Sequence, residues 1–279
     1  MMRVRVLVAM VLGFVLCRVM KAEDAPRYYK ASERILILGA VPQEITAFVG
    51  AMKSAEKKEV WGIPYWQGTI EDKPVIVAIT GIGKVYTAMT ATLLIEEFSP
   101  RLVLMSGTGA RVNRELRTGD VIVASVMQVH DYGSLTRNDM VYRPLNGPVN
   151  GNEVENAFRP TASLLKIADA AIASYQGPEV TANGATYRVK VRQGVVSSSD
   201  LFGVTQPRIE TLRTKFHTDV MEMESAALGQ VCQTIGVPYL VVRAGSNVAQ
   251  EAPNDDYLRL GPIAANQAAL FSLYLLKTL

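Results

Sequence analysis

Residues 237–250 read VPYLVVRAGSNVAQ. Six of the seven residues from Val237 to Arg243 suit a buried strand, and the chain then turns small and polar through Ala244, Gly245, Ser246 and Asn247. Strands of open α/β sheets end this way where a ligand sits beyond their carboxyl ends. This predicts a strand over 237–246 with a ligand at its tip.

The same alternation recurs upstream. RILILGA (34–40) reads as a first strand. PQEITAFVGAMK (42–53) reads as a helix, with Pro42 suited to the first turn and Ile45, Phe48, Val49 and Met52 on one face. VWGIPYWQGTI (60–70) and KPVIVAIT (73–80) read as antiparallel strands joined at Glu71-Asp72. KVYTAMTATLLIEEF (84–98) is a helix stopped by Pro100. LVLMSG (102–107) and GDVIVAS (119–125) are strands, TASLLKIADAAIASY (161–175) a helix, YRVKVRQGVVSSS (187–199) a strand and QPRIETLRTKF (206–216) a helix. DVMEMES (219–225) reads as a strand end with Glu222 and Glu224 on one side and Met221 and Met223 on the other. SAALGQVCQTIG (225–236) is a helix closed by Gly236. A last helix follows from Tyr257, with an irregularity expected at Gly261-Pro262. Strand and helix in alternation predict a three-layer α/β/α sandwich around a mixed, largely parallel sheet.

The chain has 279 residues, 49% apolar and 20% charged, which suits a globular protein with a sizeable core. Its start differs from the rest. MMRVR is basic, Val6 to Cys17 is an unbroken apolar run of 12 residues, and the chain then turns polar. A membrane helix needs about 20 apolar residues, so this run is too short to span. It fits a secretory signal over residues 1–22, with Ala22 or Ala25 as cleavage points. The expected organisation is therefore a signal at 1–22 and one domain at 34–279, in an exported, periplasmic or secreted protein with no stable membrane span. Residues 1–22 hold four basic side chains and no acid, so their removal lowers the net charge of +3 by four, to −1. That balance gives no argument for nucleic acid as a partner. Cys232 would be the one cysteine left, too few for an internal disulfide.

TGIGKV (80–85) begins like a phosphate loop, but Ala78 replaces the first glycine and Val85 the magnesium-binding hydroxyl residue. GTGARV (107–112) begins like a dinucleotide fingerprint, but Val112 replaces its last glycine. Both read as tight turns after strands, and no cofactor is expected. His130 and His217 are far apart and no metal-ligand spacing stands out, so no metal is expected either. What remains is a set of polar residues at strand ends: Glu44, Thr108, Ser197 to Asp200, Glu222, Glu224, Arg243, Ser246 and Asn247. A parallel sheet gathers such residues along one edge.

Six segments carry a resemblance: ILGAVPQEI, TGIGKVYTAMTATLLIEEFSP, MSGTGARVNRELRTGDVIVAS, VVSSSDLF, VMEMESAALGQVC and VPYLVVRAGSNVA. In this order they resemble the purine nucleoside phosphorylase and nucleosidase superfamily, and within it the 5′-methylthioadenosine/S-adenosylhomocysteine nucleosidases. The resemblance implies a homodimer that cleaves the bond between purine and ribose. It implies that Glu44 activates the attacking water, with Thr108 and Arg243 near that water. It implies that Glu224 holds the ribose hydroxyls beside Met223, that Phe202 stacks on the base and the Gly203 backbone reads its edge, and that Ile82 and Tyr257 close the thioalkyl end. A carboxylate in the position of Glu44 repels phosphate, so water is the expected nucleophile. The family pattern places an aspartate at position 247, where it protonates N7 of the leaving adenine. Asn247 cannot give up a proton at neutral pH. This points either to hydrolysis or phosphorolysis of a 6-oxopurine nucleoside, of inosine, guanosine or futalosine type, or to an exported nucleoside-binding protein with weak or no catalysis.

Overall fold

The structure, a computed structural model, describes residues 29–137, 140–146 and 153–279. The expected signal at 1–22 lies outside the described residues. The strands are β1 (Ile35–Gly39), β2 (Lys53–Val60), β3 (Ile63–Ile70), β4 (Lys73–Ile79), β5 (Leu102–Arg111), β6 (Val121–Val129), β7 (Gly133–Leu135), β8 (Met140–Tyr142), β9 (Leu145–Asn146), β10 (Glu153–Val154), β11 (Ala157–Phe158), β12 (Glu179–Ala182), β13 (Ala185–Arg188), β14 (Val191–Ser198), β15 (Val220–Glu222) and β16 (Tyr239–Val248). The helices are α1 (Pro42–Ala51), α2 (Lys84–Phe98), α3 (Ala162–Ser174), α4 (Gln206–Thr214), α5 (Ser225–Ile235) and α6 (Asn254–Leu276).

One mixed sheet runs in the order β11-β6-β14-β15-β5-β1-β4-β3-β2, with β16 bonded to both β5 and β6. Its inner strands are apolar on both faces because helices cover both. In β1 the alternation is literal: Ile35 and Ile37 enter the core shared with α1, α3 and α6. Leu36 and Leu38 enter the core shared with α2 and α5. The expected three-layer α/β/α arrangement is the one observed.

Several local expectations are corrected. The segment 60–70 is not one strand. Trp61 and Gly62, at φ 56° and 75°, form a left-handed two-residue turn that returns the chain from β2 to β3. Such turns match the twist of a hairpin. The charged run KSAEKKEV therefore forms an exposed edge strand, where lysine and glutamate discourage pairing with another chain. Segment 187–199 likewise divides into β13 and β14. The last helix runs without a break through Gly261-Pro262.

The most consequential corrections concern β5 and β16. GTGARV is not a turn after a strand; β5 continues to Arg111. AGSN stands at the end of a strand as expected, since β16 ends at Val248, but it is still paired there rather than being a loop past the strand. The two run side by side in parallel from Val103 and Tyr239 to Gly109 and Gly245. The register then shifts before Val248, while the middle of β16 also pairs antiparallel with β6. Small residues permit this crossing: a Cβ on Gly245 would stand 2.6 Å from Arg111 Cγ. The shift leaves Ser246 and Asn247 as a bulge, a device that re-aims side chains.

Candidate active site

The bulge, the start of α1, the turn before α2 and the loop after β14 enclose a cavity of about 700 Å³, counted to its open mouth. Glu44 sits at its floor, in the first turn of α1, where a helix N-terminus favours an acid. Its carboxylate is clamped from two sides. Oε2 accepts from Ala40 N–H at 2.7 Å, and Oε1 accepts from the N–H and the hydroxyl of Thr108 at 2.8 and 3.1 Å.

Glu224 faces the cavity from the other side. It is the N-cap of α5, not part of a strand, so the expected alternation of Glu222 and Glu224 against Met221 and Met223 fails after Glu222. All four line the cavity. Glu224 Oε1 accepts from Gly83 N–H at 2.9 Å. Burial raises the Glu224 carboxyl to about 8; Arg243 opposes this, and Glu222 and Glu44 add to it.

Arg243 does not itself line the cavity, though it lies close to Glu44 and Thr108, where the resemblance puts the water. It lies beneath the floor, fully buried, because its place in β16 points it toward α5. Its guanidinium meets Glu222 at 2.5 Å, Glu224 at 3.3 Å and Glu44 at 3.9 Å, and Nε–H donates to Ser225 at 3.0 Å. Burial pulls the Arg243 pKa down, but the three carboxylates outweigh it and hold the pKa above the ordinary value. Arg243 thus acts through the carboxylates. Glu222 is the residue whose place the sequence left open: it accepts from the N–H groups of Glu224 and Ser225 and from the Ser198 and Ser225 hydroxyls, which fixes the start of α5.

Gly107 makes this cluster possible. A Cβ there would stand 2.3 Å from Arg243 Nη1 and 2.7 Å from Glu44 Oε1. Gly107→Ala is therefore expected to displace a buried ion pair at a cost of about 3 kcal/mol, measured as a fall in unfolding free energy in urea. An unchanged midpoint would show that the cluster tolerates movement.

The other expected residues also reach the cavity: Ile82, Phe202, Gly203, Met223, Ser246, Asn247 and Tyr257 line it with Thr108. Phe202 packs edge-on to Tyr257, ring centroids 5.8 Å apart, and Gln43 donates to the Tyr257 hydroxyl at 3.1 Å. Gly203 is at φ 92°, and a Cβ there would meet Glu251 O at 2.6 Å. Asn247 is held on both sides of its amide. Nδ2 donates to Val248 O at 2.9 Å, and Oδ1 accepts from the Ser246 hydroxyl at 3.0 Å. This fixes which amide atom is which, since an oxygen facing Val248 O would repel it. One Nδ2 hydrogen stays uncommitted. The sequence did not single out Leu201, Ala249 and Gln250, which also line the cavity. No motif marks them, and their loops bring them there.

Residues 34–277 match the family model of the phosphorylase superfamily. The chain is 30% identical over 247 residues to the 5′-methylthioadenosine/S-adenosylhomocysteine nucleosidase of Shewanella halifaxensis, covering 88% of this chain and 100% of the relative. It is similar in structure to an aspartate-to-asparagine mutant of the Helicobacter pylori nucleosidase with 5′-methylthioadenosine in its active site. That match has 28% identity and a TM-score of 0.74 over 89% of this chain and all of the other. It is also similar to the futalosine hydrolase of the same organism, at 28% identity and a TM-score of 0.73 over 88% of this chain and 98% of the other. With the cavity, its paired carboxylates and this likeness over nearly the whole described chain, the protein belongs to the phosphorylase superfamily, on its 5′-methylthioadenosine/S-adenosylhomocysteine nucleosidase branch.

Proposed function

We propose that the chain hydrolyses the N-glycosidic bond of a purine nucleoside of the 5′-methylthioadenosine type, with water as nucleophile, and releases free base and a ribose derivative. One observation carries the choice of water: the described cavity lining holds Glu44, Glu222 and Glu224 and no lysine, arginine or histidine. A phosphate nucleophile needs cationic donors, which this lining lacks, and the Glu44 carboxylate opposes it. Glu44, with both oxygens already oriented, accepts the proton of the water. Glu224 hydrogen-bonds the ribose hydroxyls, and Glu44 offsets positive charge as it builds on the sugar. Met223 packs on the sugar, Phe202 stacks on the base, and Ile82 and Tyr257 close the 5′ end. Asn247 donates its free N–H to N7 of the base but transfers no proton.

A second reading has its own observation in Asn247: without a proton donor, a 6-oxopurine, which leaves more readily as an anion, becomes the better substrate. A panel of methylthioadenosine, S-adenosylhomocysteine, adenosine, inosine and guanosine, assayed for free base, decides between them. No base from any member would refute both and leave a nucleoside-binding protein.

The functional unit is a homodimer on this reading. Val85, Tyr86 and Met89 expose an apolar face of α2, continued by Ile82 in the turn before it, beside the cavity mouth, with Val85 77% exposed. Faces of this kind mark protein contacts. Light scattering is expected to give twice the chain mass, and Val85→Glu with Met89→Glu to give the single mass. A monomeric parent would contradict the dimer. Residues 1–22 act as an export signal for the catalytic domain at 34–279, supported by the basic start and the short apolar run. N-terminal sequencing of the exported protein should begin after Ala22 or Ala25.

A further inference from the structure

One lysine ties the start of α2 to two loops. Lys84 Nζ pairs with Asp131 Oδ1 and, at 3.4 Å, with Asp200 Oδ2. Asp200 Oδ1 accepts from the Lys84 backbone N–H at 2.8 Å, and Asp131 Oδ2 accepts from the Asp200 N–H at 2.9 Å. The three residues form a closed ring between the end of β6, the start of α2 and the end of β14. Lys84 and Asp131 are only 22% and 16% exposed, so water screens their pair less than it screens a surface pair.

None of the three lines the cavity, but Ile82, two residues before Lys84, and Leu201, next to Asp200, do. Gly83, next to Lys84, gives the N–H that holds Glu224 Oε1. It is at φ 95°, and a Cβ there would stand 3.0 Å from Asp200 Oδ1, so the turn and the aspartate are fitted to each other. Leu201, Phe202 and Gly203 follow Asp200 directly and form the opposite wall. Removing the ammonium would leave two carboxylates facing each other, with the α2 N-terminus as the remaining positive end. The loop carrying Phe202 would then swing away from the turn carrying Gly83.

We propose that the Lys84–Asp131–Asp200 ring is a clasp that sets the spacing between the Glu224 side and the Phe202 side of the pocket, and that these three are positioning residues for substrate binding. The proposal rests on the N-glycosidase reading only for its kinetic consequence.

The test compares the full chain with Lys84→Met, which keeps the side-chain stem and removes the charge. Amide hydrogen exchange is expected to speed up at Gly83 and residues 200–203 and to stay unchanged in β1 and β4. The dissociation constant for adenine should weaken, and KM for the best nucleoside of the panel should rise roughly tenfold with kcat within about threefold, since the loss falls on positioning. Asp131→Asn added to Lys84→Met removes half of the stranded charge and should restore part of the affinity. Unchanged exchange at Gly83 and 200–203, or faster exchange spread evenly over the chain, would overturn the clasp. If the parent releases no base, the N-glycosidase reading fails, and the exchange data still decide the clasp.

Discussion

Glu44→Gln is expected to lower kcat by about 10²–10⁴-fold, the range for loss of a positioned general base. The amide matches the carboxylate in shape but not in bonding. Both oxygens of Glu44 accept from backbone N–H groups, of Ala40 and of Thr108. A glutamine must turn its NH₂ toward one of them, so it loses a hydrogen bond as well as the base. Adenine should still bind, because Phe202 and Asn247 are untouched. Steady-state base release and an adenine titration check the two halves. A kcat within tenfold of the parent would remove Glu44 from the reaction.

Asn247→Asp is expected to act in the opposite direction and to raise methylthioadenosine cleavage by about 10²–10⁴-fold. In the parent, Nδ2 donates to Val248 O at 2.9 Å. An aspartate oxygen in that place would face a carbonyl oxygen at the same distance. The conflict is relieved when the carboxyl carries a proton there. Asn247 is 2% exposed, and burial also favours the neutral acid. The variant would thus hold a protonated carboxyl beside the base, and that single proton would have to turn from Val248 O to N7 as adenine leaves; the parent has no proton to give. Base release from methylthioadenosine and inosine should be followed together. Unchanged methylthioadenosine cleavage with a loss of inosine cleavage would show that the amide selects 6-oxopurines.

Much of this was legible in the sequence, for physical reasons that differ by segment. The ILIL run of β1 reads directly, because each residue type fits one of two covered faces. The edge strand β2 was not legible: it is mostly charged and exposed, with no apolar alternation, and it exists because the Trp61-Gly62 turn folds it onto β3. The strand-end reading of AGSN was half right. It found the polar residues of the site but took their cause to be the end of a strand. The strand does end there, at Val248, but a register shift in its last residues aims Ser246 and Asn247, and a bulge has no period to read. Arg243 was found as a site residue but not as a buried one. Its role depends on Glu222, and only the fold shows three acids converging on one guanidinium. Phe202 and Gly203 lie on a loop with no periodic signal, and the resemblance, not the pattern, singled them out.

The central claim is that water, held by Glu44, attacks the anomeric carbon. The most direct test runs the reaction of the folded chain in ¹⁸O-labelled water, with and without phosphate, and weighs the sugar product by mass spectrometry. Attack by water predicts one ¹⁸O at the anomeric hydroxyl and the same rate in both buffers. A sugar 1-phosphate that forms only with phosphate and carries no label would contradict it.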